Sequence, residues 1–147
     1  MHVARLSIAQ RTICFDRAVC RGVHVPGPLS VIPNAPGWML GAWAYLGRVV
    51  AVIDLAQLGA WGRVARPVPA LLLIEVGKDL LAIAADVDLG DGQIPPPDRS
   101  DALYDVIQTA GANADSNAQP TLLLEAARLT LECEAALLRG VRSESPR

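Results

Sequence analysis

The chain has 147 residues, of which 52% are hydrophobic, 19% charged and 4% aromatic, and its formal net charge is −2. That balance excludes an intrinsically disordered chain, which is polar and highly charged, and a polybasic nucleic-acid binder; the length suits one domain with a core of Val, Leu, Ile and Ala. The charge is polarised: residues 1–74 hold seven Arg against Asp16 and Asp54, a net of +5, and residues 75–147 hold six basic and thirteen acidic residues, a net of −7.

The N-terminal run MHVARLSIAQR has no uninterrupted apolar core and does not read as a signal peptide. Val3 to Ala9 alternates as a half-buried strand, with Gln10-Arg11 as the turn and Thr12 to Phe15 as the returning strand. Asp16 is placed to cap one short helical turn over 16–21. The stretch 25–37, VPGPLSVIPNAPG, has four prolines and two glycines, so it reads as ordered extended coil crossing a core through Val25, Leu29, Val31 and Ile32. Between Ala35 and Ile53 the only charge is Arg48, but Pro36, Gly37, Gly41 and Gly47 interrupt the run. Irregular buried backbone, then a strand at Val49 to Ile53 covered on both faces, is predicted in place of a membrane helix.

Asp54 ends that strand and caps a helical turn at Leu55 to Leu58. Gly59 to Pro69 is the candidate seam between two subdomains. Leu71 to Val76 and Leu80 to Ala85, joined by Gly77-Lys78-Asp79, predict a hairpin. Asp86 to Ser100 is acidic and proline-rich, with Pro95-Pro96-Pro97 as a stiff segment, and 110–119 reads as a polar loop. Leu122-Leu123-Leu124 suits a short strand. A helix then runs from about Glu125 to a stop at Gly140, followed by a frayed tail over 141–147. About six or seven short strands and one C-terminal helix argue for a mainly β protein of barrel or sandwich type.

Residues that could carry chemistry are sparse. Cys14, Cys20 and Cys133 are odd in number and fit no zinc or disulfide spacing, so they read as small buried hydrophobes in a reducing compartment. His2 and His24 are the only histidines, and no nucleophile motif accompanies His24 as a base. The run from Asp86 to Gln93 imitates a calcium loop, but its twelfth position is Pro97 instead of a bidentate Glu. Trp38, Trp43 and Trp61, near Arg48, Arg63 and Arg66, read as core or interface anchors, not base-stacking platforms. No catalytic residue, metal site or cofactor is assigned.

Residues 32–58, IPNAPGWMLGAWAYLGRVVAVIDLAQL, resemble the signature of CheW-like domains, the coupling proteins of bacterial chemosensory arrays. Pro33 and Pro36 match the family's prolines, Gly41 and Gly47 its two glycines, Val49 to Ile53 its β-branched strand, and Asp54-Leu55 its close. Leu6 to Val19 looks like the family's first strand pair, Leu71 to Ala85 with Asp86 like its hairpin, and Thr121 to Leu129 like its last strand and helix. The prolines would hold the loop extended, and the glycines would allow close approach or positive φ.

The resemblance implies two small intertwined five-stranded SH3-like β-barrels with a short C-terminal helix, in one domain over 1–140 with its seam near 59–70. It implies a non-catalytic cytoplasmic adaptor without cofactor. The implied partners are a CheA-like histidine kinase regulatory domain and the cytoplasmic tip of a chemoreceptor, with no nucleic acid and no direct membrane insertion. Val19 aligns with a family valine near an apolar receptor groove. Tyr45, Leu46, Gly47 and Arg48 align with the stretch bearing the family's functional arginine. Here the Asn-Leu-Arg before the second glycine is Ala44-Tyr45-Leu46, and Leu46 has no guanidinium. Arg48 would be displaced by about 6–7 Å in an extended chain. The second half is shorter than in the family, and 99–119 matches poorly. These departures point to a divergent paralogue, with a module of type IV pilus signalling or array positioning as the alternative. A small cysteine-dependent enzyme is the alternative from another class.

Overall fold

The alternating N-terminal run folds as an antiparallel hairpin of β1 (His2–Ile8) and β2 (Arg11–Asp16). It turns at Ala9 and Gln10, with φ of 47° and 70°, one residue earlier than the sequence suggests. A single 3-10 turn at Arg17–Val19 follows, and its cap Asp16 accepts the Ala18 N–H at 3.0 Å. Then come β3 (Cys20–His24), β4 (Met39–Tyr45), β5 (Arg48–Ile53), α1 (Leu55–Leu58), β6 (Ala70–Val76), β7 (Asp79–Ala85), β8 (Val87–Gln93), β9 (Tyr104–Ile107), β10 (Thr121–Leu124) and α2 (Ala126–Glu144). This computed structural model describes residues 1–94, 104–107 and 121–144; the readings at 95–97, 110–119 and the last three residues lie outside them.

The strands form two five-stranded sheets, ordered β8-β1-β2-β10-β9 and β3-β6-β7-β5-β4. The first sheet draws on both ends of the chain and the second on its middle, so the two are intertwined. The chain crosses between them at Arg17–Val19 and at Asp86, while 59–69 joins α1 to β6 within the second sheet. Each sheet contains one parallel pair, β2 with β10 and β5 with β7. Backbone pairing leaves β3 and β4 as edges of the second sheet. Their side chains draw those edges together: the His24 ring lies 5.1 Å from Trp43 and 5.2 Å from Tyr45.

Side-chain alternation divides the core. Ile53, Leu72, Ile74 and Ile83 point into a core shared with Leu6, Ile13 and Phe15 of the first sheet and Leu129 of α2. Val50, Val52, Leu71, Leu73 and Ala82 point the other way, toward Leu29 and Val68. Strands β6 and β7 are thus covered on both faces. A CH₂ group removed from water contributes about 0.8 kcal/mol, which makes this pair the stabilising centre. The coverage expected for Val49 to Ile53 holds at Val50, Val52 and Ile53 but fails at Val49, which is 81% exposed.

Several expectations need correction. Irregular backbone was expected before Val49, but β4 is a strand with a bulge between Met39 and Gly41. Its small residues Gly41, Ala42 and Ala44 hide the period-two signal. The acidic stretch after Asp86 contains a strand, β8, paired with β1. Ten strands are present among the described residues, more than the sequence suggests. Helix α2 passes through Gly140, the expected stop, and reaches Glu144; an interior glycine costs only about 1 kcal/mol relative to alanine. In the 25–37 loop Leu29 packs on the core, whereas Val25 and Val31 are 84% and 88% exposed. Among the described residues no helix is long and apolar enough to cross a membrane.

Candidate partner-docking site

The signature segment builds a platform under one hairpin. Pro33 and Pro36 belong to two turns, closed by Ala35 N–H to Ile32 O at 3.3 Å and Met39 N–H to Pro36 O at 3.0 Å. They fold the loop back instead of holding it extended, consistent with proline's fixed φ at turn positions. Ser30 then pairs with Ala42 through two backbone bonds of 2.9 and 2.8 Å. Gly41 makes this crossing possible: a Cβ there would lie 2.7 Å from Ser30 O and 2.9 Å from Leu29 Cβ.

Asp54 locks the far end of β5. It is fully buried. Its Oδ1 accepts the Ala56 and Gln57 N–H groups at 3.0 and 3.3 Å, capping α1 as the sequence predicts. Its Oδ2 accepts Gln57 Nε2 at 3.0 Å and Val64 N–H at 3.1 Å. Its own N–H donates to Trp38 O at 2.7 Å. One aspartate therefore ties α1 and the 59–69 connection to β5 through its carboxylate, and β5 to the loop before β4 through its backbone N–H. Leu55, beside it, is fully buried in the shared core.

Tyr45, Leu46, Gly47 and Arg48 form the tip of the β4–β5 hairpin. Leu46 and Gly47 have φ of 47° and 78°, the pattern of a type I′ turn. The stretch is therefore not extended, and Arg48 stands directly across from Tyr45. Tyr45 turns inward against Trp43, with ring centroids 5.1 Å apart. Leu46 turns outward and is 84% exposed. Arg48 is also exposed, and its Nη2 donates to Lys78 O at 2.9 Å, bracing the tip against the β6–β7 turn. That turn has two residues, Gly77 and Lys78, not three.

Val19 lies elsewhere. It is half-buried on the 3-10 turn and packs on the shared core, while Tyr45 packs on the opposite face of the second sheet. The structure brings Tyr45 to Arg48 together and keeps Val19 apart.

The cysteines behave as small core residues. Burial pushes the thiols of Cys14, Cys20 and Cys133 up to about 11, so they are protonated near neutrality. The residues of the calcium-like run are used locally: Asp88 accepts the Gly90 N–H at 2.9 Å, and Asp91 pairs with Arg17 at 3.3 Å. Among the described residues no group of His, Cys, Asp or Glu could hold a metal ion.

Asp86 was missed as a structural joint. Its Oδ2 accepts the Ala9 N–H at 2.7 Å and its Oδ1 accepts the Ala65 N–H at 2.5 Å, linking the β1–β2 turn to the 59–69 connection. Trp61 reinforces the link, donating from Nε1 to Ile8 O at 3.1 Å beneath the Arg11 guanidinium, 5.2 Å from its ring. The sequence signal was an aspartate directly after an apolar strand.

A profile of the CheW-like domain matches residues 3–131. The chain belongs to the CheW-like domain family. Its structure is similar to that of the scaffolding protein TtCheW from Thermoanaerobacter tengcongensis, with a TM-score of 0.65 and 16% identity over 84% of this chain and 88% of that one. No curated protein matches the chain in a sequence comparison. The CheW-like fold is thus shared although the tip residues are not those of the family signature.

Proposed function

We propose that the chain is a non-catalytic adaptor of a bacterial chemosensory complex, docking a histidine kinase regulatory domain at the β4–β5 hairpin and a chemoreceptor tip near Val19. Membership of the CheW-like family over residues 3–131 carries this reading, since that family acts by scaffolding. The exposed Leu46 and Arg48 on a braced hairpin support the kinase contact. The protonated, buried cysteines count against a thiol-dependent enzyme. Leu46 in place of arginine favours a kinase whose docking surface is apolar at that point. This suits a divergent paralogue, including one serving pilus signalling or array positioning.

Titration calorimetry against the regulatory domain of the histidine kinase encoded nearest to this chain tests the reading. Leu46→Glu and Arg48→Glu are expected to weaken binding at least about tenfold with an unchanged fold, because both side chains are exposed. Val19 packs on the core, so its test is Val19→Ala with receptor-tip peptide and a parallel unfolding curve. Wild-type affinity in the two tip variants would remove the hairpin from the interface.

A further inference from the structure

The core-facing side of the second sheet is only partly covered toward its β4–β5 end. Helix α2 lies over one side of it and leaves a trough of 280 Å³. Met39, Ala51, Ile53 and Leu81 form the floor of that trough, and Cys133 and Leu137 of α2 form its wall. The floor does not stop there. Val49 shares the face of Ala51 and Ile53, because side chains alternate along β5. Across β4, Ala44 stands opposite Val49, and Ala42 opposite Ala51. Val49 is 81% exposed, Ala44 is exposed, and Ala42 and Ala51 are half-buried. The result is an open apolar strip of small side chains running alongside a helix.

We propose that this trough docks one amphipathic helix of a protein partner, lying along α2 with its apolar stripe on the alanine-rich floor and Lys or Arg residues on its flank. Shape supports a helix. Alanines let a helix axis approach to about 8–10 Å, and α2 supplies the second wall of a groove. An extended peptide would need a free strand edge, whereas this is a sheet face, and the Ser30 bridge already occupies part of the β4 edge.

Charge supports the basic flank. Asp79 lines the trough from β7, two residues before the Leu81 that pairs with Ala51, and Glu134 lines it from α2. Both are exposed, and neither forms an ion pair with a described residue. Two copies pairing through this face would set acidic rim against acidic rim, which disfavours self-association. The trough begins beside the hairpin tip at Val49, but its lining includes neither Tyr45 to Arg48 nor Val19, so it is tested apart from the kinase and receptor contacts.

Two synthetic amphipathic peptides of about 18 residues, long enough to span about 27 Å of helix, provide the test. They share one Leu/Ala face and carry either Lys or Glu on the flanks. Fluorescence anisotropy with the full chain is expected to show the Lys peptide binding at least about tenfold tighter. Val49→Arg should weaken that binding about tenfold, and Asp79→Lys with Glu134→Lys should reverse the preference between the peptides. Ala44→Arg, also at an exposed position, repeats the first test if Val49→Arg disturbs the unfolding midpoint. Equal affinity for the two peptides, no binding of either, or binding indifferent to both arginine substitutions would overturn the proposal. A dimer seen by sedimentation and dispersed by Val49→Arg would overturn it in favour of a second copy.

Discussion

Asp54→Ala is the most informative single perturbation of the scaffold. The substitution removes an acceptor of four N–H bonds at a fully buried position. Loss of the α1 cap alone costs about 1 kcal/mol. The Val64 N–H donor is then left buried without the carboxylate, at about 1–3 kcal/mol. Gln57 can swing its amide toward water and adds little. The sum is about 2–4 kcal/mol, against a total of about 5–15 kcal/mol for a domain of this kind.

Urea unfolding followed by tryptophan fluorescence measures it, with Trp38 and Trp61 both packed on the shared core. The midpoint should fall while the slope holds, the signature of lost stability without a changed native surface. Asp54→Asn keeps one acceptor oxygen for the α1 cap but sets an amide donor against Val64 N–H or Gln57 Nε2. It should cost roughly half as much as Asp54→Ala. A loss below about 1 kcal/mol in Asp54→Ala would show that the four bonds are replaced readily, and that the carboxylate is not what joins β5 to its surroundings.

Gly41→Ala should destabilise by about 2–4 kcal/mol, because its methyl group meets Ser30 O at 2.7 Å; a Gly47→Ala control, with open space around it but φ of 78°, should lose only about 1–2 kcal/mol in the same urea titration. The buried thiols predict alkaline sensitivity. Their folded values lie near 11 against an ordinary 9.0, so their contribution is complete below about pH 9 and is lost as the pH climbs toward 11; midpoints measured from pH 8 to 11 should fall over that window, and a flat profile would contradict the burial of these groups. Iodoacetamide at pH 8 should alkylate the native chain about 100-fold more slowly than the urea-unfolded one, from a two-unit difference in thiol acidity. Asp86→Ala should free the β1–β2 turn from the 59–69 connection, lower the unfolding free energy by about 1–3 kcal/mol, and speed amide exchange at Ala9 and Ala65.

Local signals made part of this fold legible. The Leu71 to Ala85 hairpin, the Asp54 cap and the strand-to-helix change near Glu125 each rest on neighbours within a few residues, and each appears in the structure. The rest of the fold is nonlocal or masked by small side chains. Strand β4 carries Gly41, Ala42 and Ala44, whose alternation has almost no hydropathy contrast. Strand β8 carries Asp88, Gly90 and Asp91, a composition that favours turns, yet pairing with β1 overrides it. The parallel β2–β10 pair joins residues more than one hundred positions apart, beyond any periodicity argument. At the candidate site, the positions of Gly41, Gly47, Asp54 and Leu55 were readable because backbone geometry or burial demands those residues. The inward turn of Tyr45, the bracing of Arg48 by Lys78 O and the separation of Val19 from the tip depend on tertiary packing alone.

The hairpin tip obeys a different logic from its platform. Leu46 adopts φ of 47°, in the left-handed region where a β-carbon costs about 1–2 kcal/mol and where Asn is the favoured partner for a following glycine. It is also 84% exposed, so no packing repays that strain within the isolated chain. A strained and exposed leucine points to use by a partner. Leu46→Asn should therefore stabilise the chain by about 0.5–1 kcal/mol, read as a raised urea midpoint, because Asn tolerates this conformation. The same substitution should weaken kinase-domain binding at least about tenfold, because the exposed isobutyl group is lost. A gain in stability with unchanged binding would show that the leucine is incidental and that Arg48 carries the contact. A loss of stability would show that the leucine is held by contacts within the chain and carries no net strain.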